Sequence, residues 1–156
     1  MVNLPEDVIG LIRDPETVKV VATVDENGAP HAVFKGSLTV LDNGSIAYAE
    51  ALESSQSNKN MVRSIWFNKG ISVTLRGKNG LSYQIKGEAA KCITNGPIFK
   101  QFYTAKRQKS GPESDIAAVW IIDPKEIRNE TPSVRKAEEE KKHPIFRHLD
   151  RESFIK

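Results

Sequence analysis

Three Asn-Gly pairs, at 27–28, 43–44 and 79–80, each separate two runs rich in β-branched residues. Such a pair is a strong local signal for a tight hairpin, because asparagine and glycine tolerate the positive φ that the turn demands. A turn this short joins antiparallel strands and cannot join parallel ones. The strands expected around these turns are VKVVATV (18–24), PHAVFKGSLTVL (30–41), SIAYAEA (45–51), ISVTLRG (71–77) and LSYQIKGEAAKCI (81–93), with IAAVWIID (116–123) as a last, buried strand. The long second run carries Gly36 and is expected to bend or break there.

Helical spacing appears in three places. Residues 1–14 put Val8, Ile9, Leu11 and Ile12 on one side and stop at Asp14-Pro15. Residues 57–68 carry Met61, Val62, Ile65 and Trp66, and end at Asn68-Lys69-Gly70, glycine being favoured just past a helix terminus. GPIFKQFYTAKRQK (96–109) has Pro97 in its first turn. Short strands, tight turns and few helices predict a mainly β chain, an antiparallel barrel with inserted helices rather than a doubly wound sheet.

With 156 residues the chain is about one domain long. Apolar content of 38% and charged content of 28% suit a soluble protein, and no apolar run approaches the ~18 residues of a membrane helix. The N-terminus has no basic region leading into an apolar one, and the lone Cys92 excludes an internal disulfide, so a cytoplasmic location is expected. A net charge of +3, with 20 acidic residues against 23 basic ones, gives no support to a nucleic-acid binder. Neither nucleic acid nor membrane is an expected partner. After Pro132 the composition changes. Residues 1–132 form the expected barrel domain, and 133–156 a charged helical tail that carries Ile145, Phe146, Leu149, Phe154 and Ile155.

One stretch demands a chemical explanation. In ESSQSNKN (53–60), seven of eight positions are Ser, Gln, Asn or Lys, immediately ahead of the helical run MVRSIWF. A helix start exposes unpaired N–H groups and the positive end of the dipole, and so stabilises an anion such as phosphate. Plain capping is the alternative, since serine and asparagine are good N-caps, but one cap needs one residue. A second feature is Lys35, inside an otherwise apolar strand-like run. Alternation sets Phe34 and Gly36 on one face and Val33, Lys35 and Ser37 on the other. Lys35 is either an edge-strand gatekeeper or a ligand donor, and Gly36 permits close approach of a planar group. His31 at a strand start is expected to be structural or solvent-facing. His143 and His148 lie five apart, with Cys92 distant in sequence, so no metal site is expected.

In their order, VVATVDENGAPHAVFKGSLTVLDNGSIAYAEA, SNKNM, GISVTLRG, YQIKGEAA and NGPIF resemble the pyridoxamine 5′-phosphate oxidase-like family of FMN-binding split barrels, its small stand-alone FMN-binding members above all. The resemblance spans roughly residues 8–128. It implies a six-stranded Greek-key split barrel, a homodimer, and FMN at the subunit interface. It places flavin and ribityl along Val33, Phe34, Lys35, Gly36 and Ser37, and the phosphate at Ser55, Gln56, Ser57, Lys59 and Asn60. The arginine- and histidine-bearing signature with which the true oxidases hold their substrate has no counterpart, and RHLDRESF (147–154) lies in the tail. The chain is therefore expected to be an FMN-dependent oxidoreductase acting on an unidentified small substrate, with a nicotinamide cofactor or a redox protein as electron donor. The alternative is an electron-transfer or redox-sensing flavoprotein with no organic substrate. No residue stands out as a general acid or base.

Overall fold

The computed structural model describes residues 1–144. In chain order the elements are α1 (Glu6–Arg13), β1 (Val18–Val24), β2 (Pro30–Phe34), β3 (Thr39–Val40), β4 (Ile46–Glu50), α2 (Gln56–Phe67), β5 (Ile71–Arg76), β6 (Ser82–Ile93), α3 (Gly96–Ser110), β7 (Ala118–Asn129) and α4 (Pro132–Lys142). The Asn-Gly pairs at 27–28, 43–44 and 79–80 close hairpins, and Gly28, Gly44 and Gly80 take φ of 82, 84 and 83°. The strands form one antiparallel sheet in the order β2-β1-β5-β6-β7-β4-β3.

That order explains why seven strands stand where the resemblance implied six. The long second run breaks at residues 35–38, and its halves, β2 and β3, lie at opposite ends of the sheet. Only four residues join those ends, so the sheet must curl until they meet: a split barrel with a seam at the break. The ladder gives way there to a turn in which the Leu38 N–H donates to the Lys35 carbonyl at 3.1 Å and the Lys35 N–H to the Lys19 carbonyl at 3.0 Å. Strand alternation therefore stops at Phe34 and does not govern Gly36 and Ser37. Instead the Ser37 hydroxyl accepts the Ala49 N–H at 2.9 Å and ties the turn to β4 across the seam.

The last strand runs on to Asn129 rather than ending at 123. Pro124 disguises the extension in the sequence, since a proline cannot donate to a ladder. The register shifts at this point, with Glu126 opposite Lys86 and Pro124 opposite Gly87. At such a bulge the missing N–H is harmless. A Cβ on Gly87 would lie 2.7 Å from Ile122 Cγ2 and 2.8 Å from the Asp123 carbonyl oxygen, so only glycine fits the bend.

Two apolar cores result. Val21, Tyr48, Val73, Ile85, Trp120 and Ile122 fill the barrel, and Val8, Leu11 and Ile12 of α1 close one end. A second core, of Ala47, Phe102, Ile116, Val119 and Ile121, lies between the sheet and α3. Thus β4 and β7 are buried on both faces, which is why they appear as near-continuous apolar runs. Each fully buried Leu, Ile or Val contributes about 1.5–3 kcal/mol.

The amphipathicity of α2 is inverted. Its buried positions are Ser57, Asn60, Met61 and Ser64, while Val62, Ile65, Trp66 and Phe67 are exposed, Trp66 at 77%. The helix ends at Asn68, which takes the left-handed conformation (φ 49°) expected of Gly70. In the tail, α4 buries no residue; Ile145, Phe146, Leu149, Phe154 and Ile155, with His148 and RHLDRESF, lie outside the described residues. Among the described residues, no helix is long and apolar enough to cross a membrane.

Candidate functional site at the barrel seam and the start of the second helix

The break that makes the seam also makes a cleft. Its volume is about 590 Å³, within the range of small-molecule sites. Phe34, Lys35, Gly36 and Ser37 form one wall, Ala49, Glu50 and Ala51 of and after β4 the floor, and Gln101, Phe102, Ala105, Lys106 and Lys109 of α3 the far wall. A neighbouring depression, lined by Ala51–Ser54 and Asp115–Ala117, shares Ala51 and Ile116 with it. The cleft thus leads to the residues that precede α2. Gly36 has no positive φ, and a Cβ there would meet nothing within 4 Å. Neither the backbone nor the chain's own packing requires glycine at that point, and the space beside it is open.

Lys35 does not stand alone. Its ammonium donates to Glu50 Oε2 at 2.6 Å, with the two side chains 13% and 4% exposed. It also lies 5.1 Å from the centroid of the Tyr48 ring, a cation–π arrangement. The pair spans the seam from the turn to β4. Glu50 is held through its backbone as well, its carbonyl accepting the Ala117 N–H at 2.8 Å. Beneath it, the Tyr48 hydroxyl is buried without a hydrogen-bond partner among the described residues. Burial raises its pKa far above the ordinary 10.0, with the negative charge of Glu50 adding to the effect. Nearby Lys19 is buried too and donates to the Leu38 carbonyl at 3.4 Å; burial lowers its pKa, Asp14 opposing and Lys109 reinforcing the shift.

At the start of α2 the polar side chains are largely bonded to one another. Ser55 is the N-cap, its hydroxyl accepting the Asn58 N–H at 3.0 Å. Asn58 accepts from the Trp120 indole at 2.9 Å and donates to the Glu53 carbonyl at 2.8 Å. Asn60 is fully buried, donating to Thr23 Oγ1 at 3.0 Å and accepting from Gln56 at 2.8 Å. Ser57 is buried against His31, its hydroxyl 3.3 Å from Nε2. Two kinds of donor remain. The backbone N–H groups of Gln56 and Ser57 have no partner among the described residues, and the Lys59 side chain is exposed with no ion pair.

The Ser57–His31 contact joins the two predicted groups. His31 and Val33 share a face of β2, so the strand leads from the start of α2 toward the seam over about 13 Å. Sequence reasoning missed the α3 wall and Glu50. The Gln101, Ala105, Lys109 spacing marks one helix face, but nothing in the sequence says which strand that face covers.

Comparisons with known proteins agree with this geometry. The model of the pyridoxamine 5′-phosphate oxidase family matches residues 5–130. Among solved structures, Group A Streptococcus HupZ is 24% identical with a TM-score of 0.67, covering 83% of this chain and 95% of that one. An FMN-binding protein from Syntrophomonas wolfei subsp. wolfei is 13% identical with a TM-score of 0.65, covering 78% and 82%. An F420 reductase is 15% identical with a TM-score of 0.60, covering 80% and 98%. At these identities the likeness shows the split-barrel fold. No curated protein sequence matches the chain.

Proposed function

Because the chain belongs to the pyridoxamine 5′-phosphate oxidase family, we propose that it is an FMN-binding flavoprotein that acts as an oxidoreductase on a small substrate. The observation that carries this is an open, glycine-lined cleft at the seam whose neighbouring depression reaches Ser54, next to a helix start where two N–H groups lack a partner among the described residues and Lys59 is exposed. The donor set fits a ligand that is planar at one end and doubly anionic at the other. Lys59 and the amides of Gln56 and Ser57 hold the phosphate; Ser55, Asn60 and the Ser57 hydroxyl shape that end through their internal bonds. Val33, Phe34, Gly36 and Ser37 flank the ring system and its chain, and Lys35 offers an N–H donor beside it. Bound FMN supplies the electron-transfer chemistry; the residues bind it, orient it and set its electrostatics.

The inverted helix α2 supports a homodimer. Phe34, Leu52, Val62, Ile65, Trp66 and Phe67 are all exposed, and an apolar patch of this kind calls for a covering surface. A second copy brings the same patch to a two-fold interface beside the cleft. A clean monomer in sedimentation at micromolar concentration, with flavin bound, would contradict this part of the reading.

The deciding experiment is a titration of the apo protein with FMN, riboflavin, FAD and a deazaflavin. FMN should bind far more tightly than riboflavin; equal affinities would remove the phosphate site. One observation favours electron transfer without an organic substrate: among the described residues, the one carboxylate lining the seam cleft, Glu50, is bonded to Lys35 and is not placed as a general base. Reduction by a nicotinamide cofactor followed by turnover of a second substrate separates the two readings.

A further inference from the structure

We propose that Glu50 is a positioning residue that sets the charge Lys35 presents to the cleft, so that the cofactor faces a neutral ion pair rather than a cation. This rests on the flavin reading above.

The pair is built to stay together. Lys35 is fixed by its own backbone bonds to Lys19 and Leu38, and its ammonium sits over the Tyr48 ring. Glu50 is fixed by the β4–β7 ladder, where it faces Ala118, and by the Ala117 N–H on its carbonyl. The Glu50 side chain is 4% exposed and that of Lys35 13%, so both are largely withdrawn from solvent where the cleft wall meets its floor. A charge there interacts far more strongly than one in water. At 2.6 Å the carboxylate takes one of the three N–H groups of Lys35 and cancels its charge. The cleft cations with no ion pair among the described residues are Lys106 and Lys109, on the opposite wall.

The consequence has a sign. Electrons arriving on a bound cofactor add negative charge beside the pair. With Glu50 ionised, the attraction of Lys35 for that charge is opposed by the repulsion of the carboxylate, and the reduced cofactor gains little. Neutralising Glu50 while keeping its size releases the full charge of Lys35 toward the cleft. Removing Lys35 leaves the carboxylate alone and has the opposite effect.

The test is the midpoint potential of the FMN-loaded protein, measured by equilibration with a reference dye, for wild type, Glu50→Gln, Glu50→Asp and Lys35→Met. Glu50→Gln should tighten reduced relative to oxidised FMN about tenfold, which raises a two-electron potential by about 30 mV. Glu50→Asp keeps the charge and should leave the potential near that of wild type. Lys35→Met should lower it. A merely structural role for Glu50 would change melting temperature in both Glu50 variants and leave the potential unmoved, which would overturn the proposal. If Glu50→Gln alone does not fold, the double variant Lys35→Met/Glu50→Gln decides: a potential restored to near that of wild type supports the neutral pair, and one as low as that of Lys35→Met overturns it. If wild type takes up no FMN, the flavin reading itself fails and this inference with it; wild type that binds FMN alongside an unmoved Glu50→Gln potential refutes this inference alone.

Discussion

The start of α2 and the barrel seam are both polar, and they carry their polarity in opposite ways. At the helix start, a cluster conspicuous in the sequence proves to be mostly self-satisfied: Ser55 caps, Asn60 bonds Thr23 and Gln56, Ser57 meets His31, and Asn58 holds Trp120. Its capacity for an anion resides in backbone amides and one exposed lysine. At the seam, a single lysine proves to be half of an ion pair 15 residues apart in sequence and almost withdrawn from solvent. An abundance of donors in sequence is therefore a poor measure of donors available to a ligand. The accounting has to be done bond by bond.

The largest test of the contrast is Glu50→Ala. Breaking a buried pair by removing one partner leaves an uncompensated charge and costs about 3–5 kcal/mol. For a chain of this size that lowers Tm by roughly 10 °C, readable by calorimetry on the apo protein. A change under about 1 kcal/mol would mean that solvent screens the pair as it screens a surface salt bridge.

Lys59→Ala probes the other region by ligand rather than by stability. Loss of a charge-assisted hydrogen bond to phosphate should weaken FMN binding on the order of tenfold to a hundredfold, with riboflavin nearly unaffected. The apo melting temperature should stay level or rise slightly, because a cation near a helix N-terminus is unfavourable by about 0.3–1 kcal/mol. Unchanged FMN affinity would move the anchor away from the helix start.

A third test uses pH at the seam. The Tyr48 phenol has its pKa raised in the folded state. Below the unfolded value of 10.0 both states keep the proton and stability is unaffected. Above it the unfolded chain ionises while the folded one resists, so stability falls as pH rises. Tyr48→Phe removes that dependence together with an unpartnered hydroxyl. It should shift the alkaline unfolding midpoint upward while leaving Tm at neutral pH level or slightly higher. An unmoved alkaline midpoint would assign the transition to other groups, among them Tyr83, whose pKa is raised by its hydrogen bond to Asp7.

Smallest of all should be Ser57→Ala. It removes one hydroxyl contact with His31 and spares the Ser57 amide, so FMN affinity should fall no more than about threefold and stability by about 0.5–1.5 kcal/mol. A loss matching that of Lys59→Ala would show that the hydroxyl leaves His31 for the ligand.

The sequence disclosed the elements more readily than the relations between them. Asn-Gly turns announce hairpins because their φ requirement is local, and Pro97 announces a helix start for the same reason. The break at 35–38 was visible through Gly36, yet nothing local says that its halves go to opposite ends of a sheet; that follows from β4 pairing with β7, some seventy residues on. Pro124 hid the second half of β7 because the bulge that accommodates it depends on Gly87 in another strand. The helical periodicity of α2 was plain, but its inward face is set by Thr23, His31 and Trp120, none of them adjacent in sequence. Glu50 went unnoticed for a related reason: a carboxylate at the end of a strand looks like a solvated boundary until its neighbour across the seam is known.

The strand order also has a consequence in time. β1, β2, β5 and β6 pair among themselves as soon as residues up to 93 are available, but the outer neighbour that holds β4 is β7. On a ribosome adding about 5–20 residues per second, β4 waits several seconds for that partner. Until then the cleft floor has no frame, and the Lys35–Glu50 pair has no fixed geometry. The nascent chain can therefore complete its seam cleft only at the end of synthesis of the barrel, once β7 has been made.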